Sequence, residues 1–244
     1  MKPIAHEFMV QTRYPYLTPS AQSQQLPQPP LQLPLPADAP LIALPKPQDF
    51  STPAIDLFTA IVNRRSVRQY TDTPLTLEEL AFLLWCTQGV KEVSPRGFTL
   101  RTVPSAGARH AFETVLLINS VQGVEPGLYR YACLEHALLD LAAGPDINER
   151  LTQACLGQNQ VRTSAVTFFW IAVVERMAWR YSERSYRYLH LDAGHVCQNL
   201  YLAAEAIGCG VCAIAAFNDE GVNTTLKIDG ENQFAIYIAS LGKR

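Results

Sequence analysis

Two hydrophobic periods alternate along the chain, and their order predicts its elements. Ile55, Phe58, Ile61 and Val62 fall at helical spacing, with Thr52 placed to cap that helix and Pro53 at its first position. A second helix opens at the capping box Thr76-x-x-Glu79 and carries the stripe Leu77, Leu80, Leu83 and Leu84. Gly89 suits the left-handed position after it. Thr114–Ile118 and Leu128–Tyr131 read as strands, and Gly123, Pro126 and Gly127 between them predict a hairpin. Leu138–Ala154 carries helical signals broken at Gly144-Pro145. Thr167–Val174 is a β-branched and aromatic run, read as a buried strand. In Leu191–Ile207 the residues Ala193, Val196, Leu200, Ala203, Ala204 and Ile207 share one helical face, and Gly208 ends it. Val211–Ala216 and Phe234–Ala239 are further strands. The interleaving predicts a single α+β or α/β domain.

Proline divides the chain: 12 of the 17 prolines lie in residues 1–53. The run Leu26–Pro36 cannot be helical, because proline lacks the donor and restrains the residue before it. It reads as extended, polyproline-like chain. A floppy tail is one reading. Leucines alternating with the prolines favour an arm laid on a surface, that of a partner subunit included. The division is an extended, proline-rich arm over residues 1–48 and a domain over 49–244.

Composition narrows the classes. Apolar residues are 48% and charged residues 17%, enough for a substantial core and too apolar for a disordered chain. A net charge of -2 gives no broad basic field for nucleic acid. The most apolar stretch, Ala165–Val174, is too short to span a bilayer as a helix. Six cysteines scattered through core elements, without a secretory signal pattern, predict reduced thiols and a cytoplasmic protein.

Several motifs are set aside. Gly208-Cys-Gly-Val-Cys-Ala213 matches a dinucleotide fingerprint, but helix precedes it and strand follows, the reverse of what that site needs. Cys209-x-x-Cys212 enters a strand rather than opening a helix, so two small buried residues are the simpler reading. His190 and His195 lack the i, i+4 spacing of two ligands on one face, and no metal site is expected.

Four pieces carry candidate chemistry. Arg64-Arg65-Ser66-Val67-Arg68 gathers three guanidiniums and a hydroxyl, donors matched to phosphate oxygens, ahead of an expected strand at Val67–Thr71. Pro104-Ser105-Ala106-Gly107 is a small-residue turn that lets backbone approach a flat ligand. The loop Gly208-Cys-Gly210 closes the long helix. Leu241-Gly-Lys243-Arg244 adds two cations at the end.

In this order the four pieces resemble the nitroreductase superfamily. The resemblance sharpens to its SagB-type dehydrogenase branch through Leu84-Trp-Cys-Thr-Gln-Gly89, Arg101–Gly107, Gly127-Leu-Tyr129, Leu191–Asn199 and the segment through Ala216–Asp219, covering roughly residues 45–244. The resemblance implies an α+β fold with a central, mostly antiparallel sheet flanked by helices. It also implies a homodimer with FMN in its interface. Carried over, Arg64, Arg65, Ser66 and Arg68 would hold phosphate and ribityl oxygens. Pro104, Ser105, Ala106 and Gly107 would line the isoalloxazine ring, Gly208, Gly210 and Val211 would approach its other side or edge, and Lys243 and Arg244 would complete the phosphate site. NAD(P)H is the expected donor when a nitro compound or quinone is the acceptor. The branch also implies dehydrogenation of azoline rings in peptides.

Two departures bear on that chemistry. Where the branch shows a Lys-Tyr pair, this chain has Arg180-Tyr181. Arginine stays protonated and cannot act as a base. Tyr181 is left as proton relay or positioning group, Arg180 as an anion binder or a partner of Glu183, and a surface role for both stays open. After the small-residue turn, an aromatic-proline pair is replaced by Ala108-Arg-His-Ala-Phe112, which offers Arg109 or His110 to an acidic group or to a dimer surface. The alternative to an enzyme is a flavin-binding scaffold in a peptide-modifying complex.

Overall fold

The computed structural model describes residues 3–51 and 54–244. In chain order its elements are α1 (Ile4–Gln11), β1 (Leu41–Ala43), α2 (Leu57–Asn63), α3 (Leu77–Gln88), β2 (Val90–Val93), β3 (Thr99–Arg101), β4 (Phe112–Ile118), β5 (Gly127–Ala132), β6 (Ala137–Asp140), α4 (Ile147–Ala154), α5 (Asn159–Thr163), β7 (Val166–Val173), α6 (Val174–Tyr181), α7 (Ser185–Ala206), β8 (Cys209–Ile214), α8 (Asp219–Leu226) and β9 (Gln233–Lys243). The cap expected at Thr52 and Pro53 lies outside the described residues. Helix α2 starts instead after Asp56, whose carboxylate accepts from Thr59 N at 2.9 Å.

Seven strands form one sheet in the order β1-β6-β5-β4-β7-β9-β8, each adjacent pair antiparallel. Strands β4 and β7 are buried along their whole length because helices cover both faces. Successive side chains of a strand point to opposite faces. Phe168, Trp170 and Ala172 therefore pack with Leu80, Leu84, Val196 and Leu200 of α3 and α7. Phe169 and Ile171 pack with Ile147 and Leu151 of α4 and Val222 of α8. Each such side chain contributes about 1.5–3 kcal/mol by its removal from water.

Three local expectations are corrected. The helical reading of Leu138 onward fails at its first residues: Ala137–Asp140 is β6, paired with β5 in the register Leu138↔Tyr131. The sheet core takes Leu138 on one face, which overrides its helix propensity, and the helix begins only after Gly144-Pro145. Gly89 is not left-handed (φ -58°); a Cβ there would lie 2.5 Å from the Trp85 ring, so close approach explains the glycine. Val67–Thr71 is no ladder strand. It is a strap held at one parallel bridge, Ser66↔Val211, and by bonds from Val67 N to Val211 O and Thr71 N to Lys243 O, both 2.9 Å.

The arm is not extended throughout, since Ile4–Gln11 forms α1 where no proline interrupts the helical bonds; its proline-rich segment is extended and runs over its own chain. Each proline lacks an N–H, so the segment cannot pair as a regular ladder, and side chains donate to its carbonyls instead. Arg176 Nε donates to Pro30 O at 2.8 Å, Arg130 Nη2 to Pro34 O at 2.8 Å, and Trp179 Nε1 to Leu26 O at 2.9 Å. Arg176 also pairs with Glu113 at 2.6 Å, both side chains almost wholly buried. The same Glu113 oxygen accepts Leu33 N at 2.8 Å. Residues 41–43 then add β1 to the sheet edge. No described helix is long and apolar enough to cross a membrane.

Breaking a buried ion pair by removing one partner costs about 3–5 kcal/mol. The Arg176→Leu protein is expected to lose that much in urea unfolding and to become cleavable between residues 26 and 36; an unchanged midpoint would overturn the assignment. His110 lies buried between Arg101 and Arg109, and burial first, then their charges, push its pKa from 6.5 down to about 3. The folded imidazole is therefore neutral while the unfolded one protonates. Stability is complete above pH 6.5 and falls toward pH 3, by up to about 1.4 kcal/mol per pH unit. Urea midpoints between pH 7 and pH 4 should decline less steeply for His110→Asn than for the parent; equal slopes would clear His110 of that role.

Candidate functional site

One end of the site is built where the Arg64–Arg68 strap crosses the β8–β9 ribbon. Gly210 and Gly242 face each other across that ribbon. A Cβ on Gly210 would stand 2.6 Å from Val67 Cβ, and one on Gly242 would stand 2.7 Å from the Tyr70 ring. Two glycines therefore clear a flat seat for the strap. Tyr70 fastens it through its hydroxyl, which reaches Val67 O at 2.9 Å and Ser240 Oγ at 2.8 Å. Beneath lies Tyr201 of α7. Its oxygen accepts from Ala213 N at 2.9 Å and stands 3.0 Å from Ser66 Oγ. With the Tyr201 proton directed to Ser66, the Ser66 proton is left to donate outward. The Arg64 guanidinium sits 5.2 Å above the Tyr201 ring, a cation–π contact. Among the described residues no carboxylate pairs with Arg64, Arg65 or Arg68.

The two terminal cations are placed differently. Lys243 pairs with Glu79, the residue that also closes the α3 capping box, and donates to Ile207 O at 2.8 Å. Arg244 grips Glu205 through both oxygens, at 2.9 and 3.3 Å. Gly208, at φ +66°, ends α7 and accepts from Arg244 N. Gly210 and Val211 serve the strap.

The other end is the turn at Pro104–Gly107. Asp192 of α7 receives Ala106 N at 3.3 Å on each oxygen, and His110 N reaches Ser105 Oγ at 2.9 Å. Burial raises the Asp192 pKa, opposed by the Ser105 and Ala106 donors and by His195. Gly107 is left-handed (φ +57°), and its missing Cβ makes room for the Tyr181 hydroxyl, 2.5 Å from that position, and for Arg180 Cδ at 2.9 Å. Arg109 donates from Nε to Gly107 O at 3.1 Å and stacks 5.1 Å from the Trp179 ring. Burial and the nearby Arg180 charge both lower its pKa.

The structure thus brings Arg180 and Tyr181, at the end of α6, onto the small-residue turn far from them in sequence. Arg180 forms no ion pair with Glu183, which takes Thr18 and Ser182 instead. Asp192 and Tyr201 were not singled out by sequence. Asp192 stands in a recognisable Asp-Ala-Gly-His run, while Tyr201 carries no local signal. The set-aside motifs are structural: Cys209 and Cys212 are buried in β8, and His190 bonds Tyr186 O at 2.7 Å. Among the described residues no three metal-ligating side chains cluster.

Comparison with known proteins places this geometry. The chain is 34% identical over 190 residues to "Putative nitroreductase MJ1384" of Methanocaldococcus jannaschii, covering 78% of this chain and 92% of that protein. It is 29% identical over 133 residues to "Trifolitoxin-processing protein TfxB" of Rhizobium leguminosarum bv. trifolii, 53% of this chain and 36% of that one. The crystal structure of a "putative nitroreductase" from Anabaena variabilis superposes with a TM-score of 0.65 at 34% identity, over 77% of this chain and 38% of that chain. This chain therefore spans little more than a third of the length of the last two. The model of the Nitroreductase family matches residues 61–243, strap through final strand, and the chain belongs to that family.

Proposed function

We propose that the chain is an FMN-dependent oxidoreductase in which hydride passes through flavin N5. One observation carries the reading: a single helix, α7, supports both candidate segments. Its Tyr201 backs the strap of guanidiniums without carboxylate partners, and its Asp192 fixes the small-residue turn. The two lie nine positions apart, about 14 Å of helix rise, and leave the helix on opposite sides. Arg64, Arg65, Ser66 and Arg68 suit a phosphate, since planar forks and a hydroxyl match its oxygens. Pro104, Ser105, Ala106 and Gly107 leave backbone free to line a flat ring. Bound there, the flavin supplies the hydride step itself. Lys243 and Arg244 shape the phosphate end while Glu79 and Glu205 hold them.

Tyr181 holds its hydroxyl over Gly107 and is placed to carry the proton that accompanies the hydride. Arg180 beside it stays charged and positions rather than deprotonates. NAD(P)H with a nitro or quinone acceptor is one form of turnover. Similarity to a trifolitoxin-processing protein supports the other, dehydrogenation of a peptide-derived substrate. A homodimer would cover α2, whose Leu57, Phe58, Ile61 and Val62 are 53–75% exposed. Six cysteines without a disulfide suit a reducing cytoplasm.

The protein purified without added cofactor should be yellow and release about one FMN per chain on heating. Colourless protein that also fails to bind added FMN would end this reading. Each charge-assisted bond is worth about 1.5–3 kcal/mol, so Arg64→Ala should weaken FMN retention by about ten- to a hundredfold, read by flavin fluorescence during dialysis. Tyr181→Phe should keep its flavin and lose about a hundredfold in kcat with a substrate that must shed a proton. Unchanged turnover would remove Tyr181 from the proton step.

A further inference from the structure

The N-terminal arm and the segment from α6 to the start of α7 line two open, adjoining hollows that meet at Ser182. One is a cavity of about 280 Å³ with Arg180, Tyr181 and Arg184 on one wall and Thr18, Ser20 and Ser23 of the arm on the other. The second, about 550 Å³, is walled by Leu26, Pro27 and Pro29 of the arm and by Ala178, Trp179 and Tyr186. Both touch Ser182, a non-glycine residue at φ +50°, ψ -138°. Backbone held in such a sparsely populated region is strained, and such strain gathers at ligand sites.

The charges divide the groove. At the smaller cavity, Arg180 makes no hydrogen bond or ion pair with any described residue. Its charge lies close enough to buried Arg109 to lower that residue's pKa. Arg184 is fixed by its bonds to Tyr188 Oη at 3.0 Å and Thr12 O at 2.8 Å, and by the Tyr14 ring 4.6 Å away. Glu183 is already taken by Thr18 and Ser182, so Arg180 keeps a planar fork of donors without a carboxylate partner, suited to an oxyanion. The larger cavity is apolar, with the Glu175 and Glu183 carboxylates at its edge to turn anions away.

We propose that this groove is the substrate site, and that it takes an elongated ligand with an oxyanion, carboxylate or phosphate, at Arg180 and Arg184 and an apolar or aromatic body under Leu26–Pro29. The inference rests on the oxidoreductase reading for its place in turnover, because Arg180 and Tyr181 connect the groove to the Gly107 turn. The arm is then half of the substrate site.

The test is calorimetric titration of the protein as purified with three probes that share one body: 4-phenylbutyrate, 4-phenylbutyl phosphate and the neutral 4-phenylbutyramide. At least one anion should bind ten times or more tightly than the amide, and which one does identifies the substrate's charged group. Arg180→Gln, at an exposed side chain without structural bonds, should erase that preference. Ala178→Trp, which fills the larger cavity, should weaken all three probes at least tenfold. Equal binding of amide and anions, an anion preference retained by Arg180→Gln, or no binding of any probe would each overturn the oxyanion site. Unchanged binding to Ala178→Trp would overturn the place assigned to the body. Flavin absorbance of the same samples separates the two readings: colourless protein that still prefers an anion keeps the groove and loses the flavin, and yellow protein that binds no probe does the reverse.

Discussion

The buried pair Glu113–Arg176 is the contact on which the rest of the site depends. Glu113 belongs to central strand β4, and Arg176 to α6, one helical turn before Arg180. Two charges so deeply buried hold one geometry, because any separation leaves an unpaired ion in a low-dielectric interior. The same pair captures the arm: Arg176 donates to Pro30 O and Glu113 accepts Leu33 N. A single ionic contact thereby fixes the sheet, the helix that delivers Arg180 and Tyr181, and the segment that walls the groove. The proline content makes this necessary, since a chain short of N–H groups must be held by donors from elsewhere.

Helix α7 plays the complementary part along the other axis. Its apolar face fills the sheet's core with Val196 and Leu200, while Asp192 and Tyr201 reach polar partners at the turn and beneath the strap. A rigid rod with a fixed rise sets the spacing of the two ends. The glycines at the strap act by absence. Gly210 and Gly242 remove the side chains that would keep Val67 and Tyr70 from the ribbon, so the arginines stand on a flat base. Charge follows the same economy: Glu79 and Glu205 occupy Lys243 and Arg244, and among the described residues no carboxylate pairs with the guanidiniums of the strap.

Much of this was legible locally. The capping box at Thr76 and Glu79 forms as its spacing demands, with both reciprocal bonds present. The run through Phe168–Trp170 is a doubly buried strand, and Gly208 ends the long helix in a left-handed conformation. The ordered motifs carried the family. Where sequence misled, a distant contact had overruled a local preference. Leu138 joins a strand because Tyr131 pairs with it, and Gly89 owes its identity to the Trp85 ring rather than to its own torsion.

By itself the sequence determined helices α2, α3 and α7, strands β4, β5, β7, β8 and β9, the extended character of Leu26–Pro36 and the α+β class, and it offered residue types suited to a phosphate and a flat ring. These follow from short-range rules, periodicity, capping and proline's fixed torsion, which act within a few residues. Tertiary structure alone decided that Tyr181 and Arg180 lie on Gly107, that Tyr201 supports Ser66, that the terminal cations face carboxylates, and that the arm closes a groove on its own chain. Each of these joins residues tens to more than a hundred positions apart. Their partners are chosen by burial and charge compensation in the folded chain, and no local pattern records them.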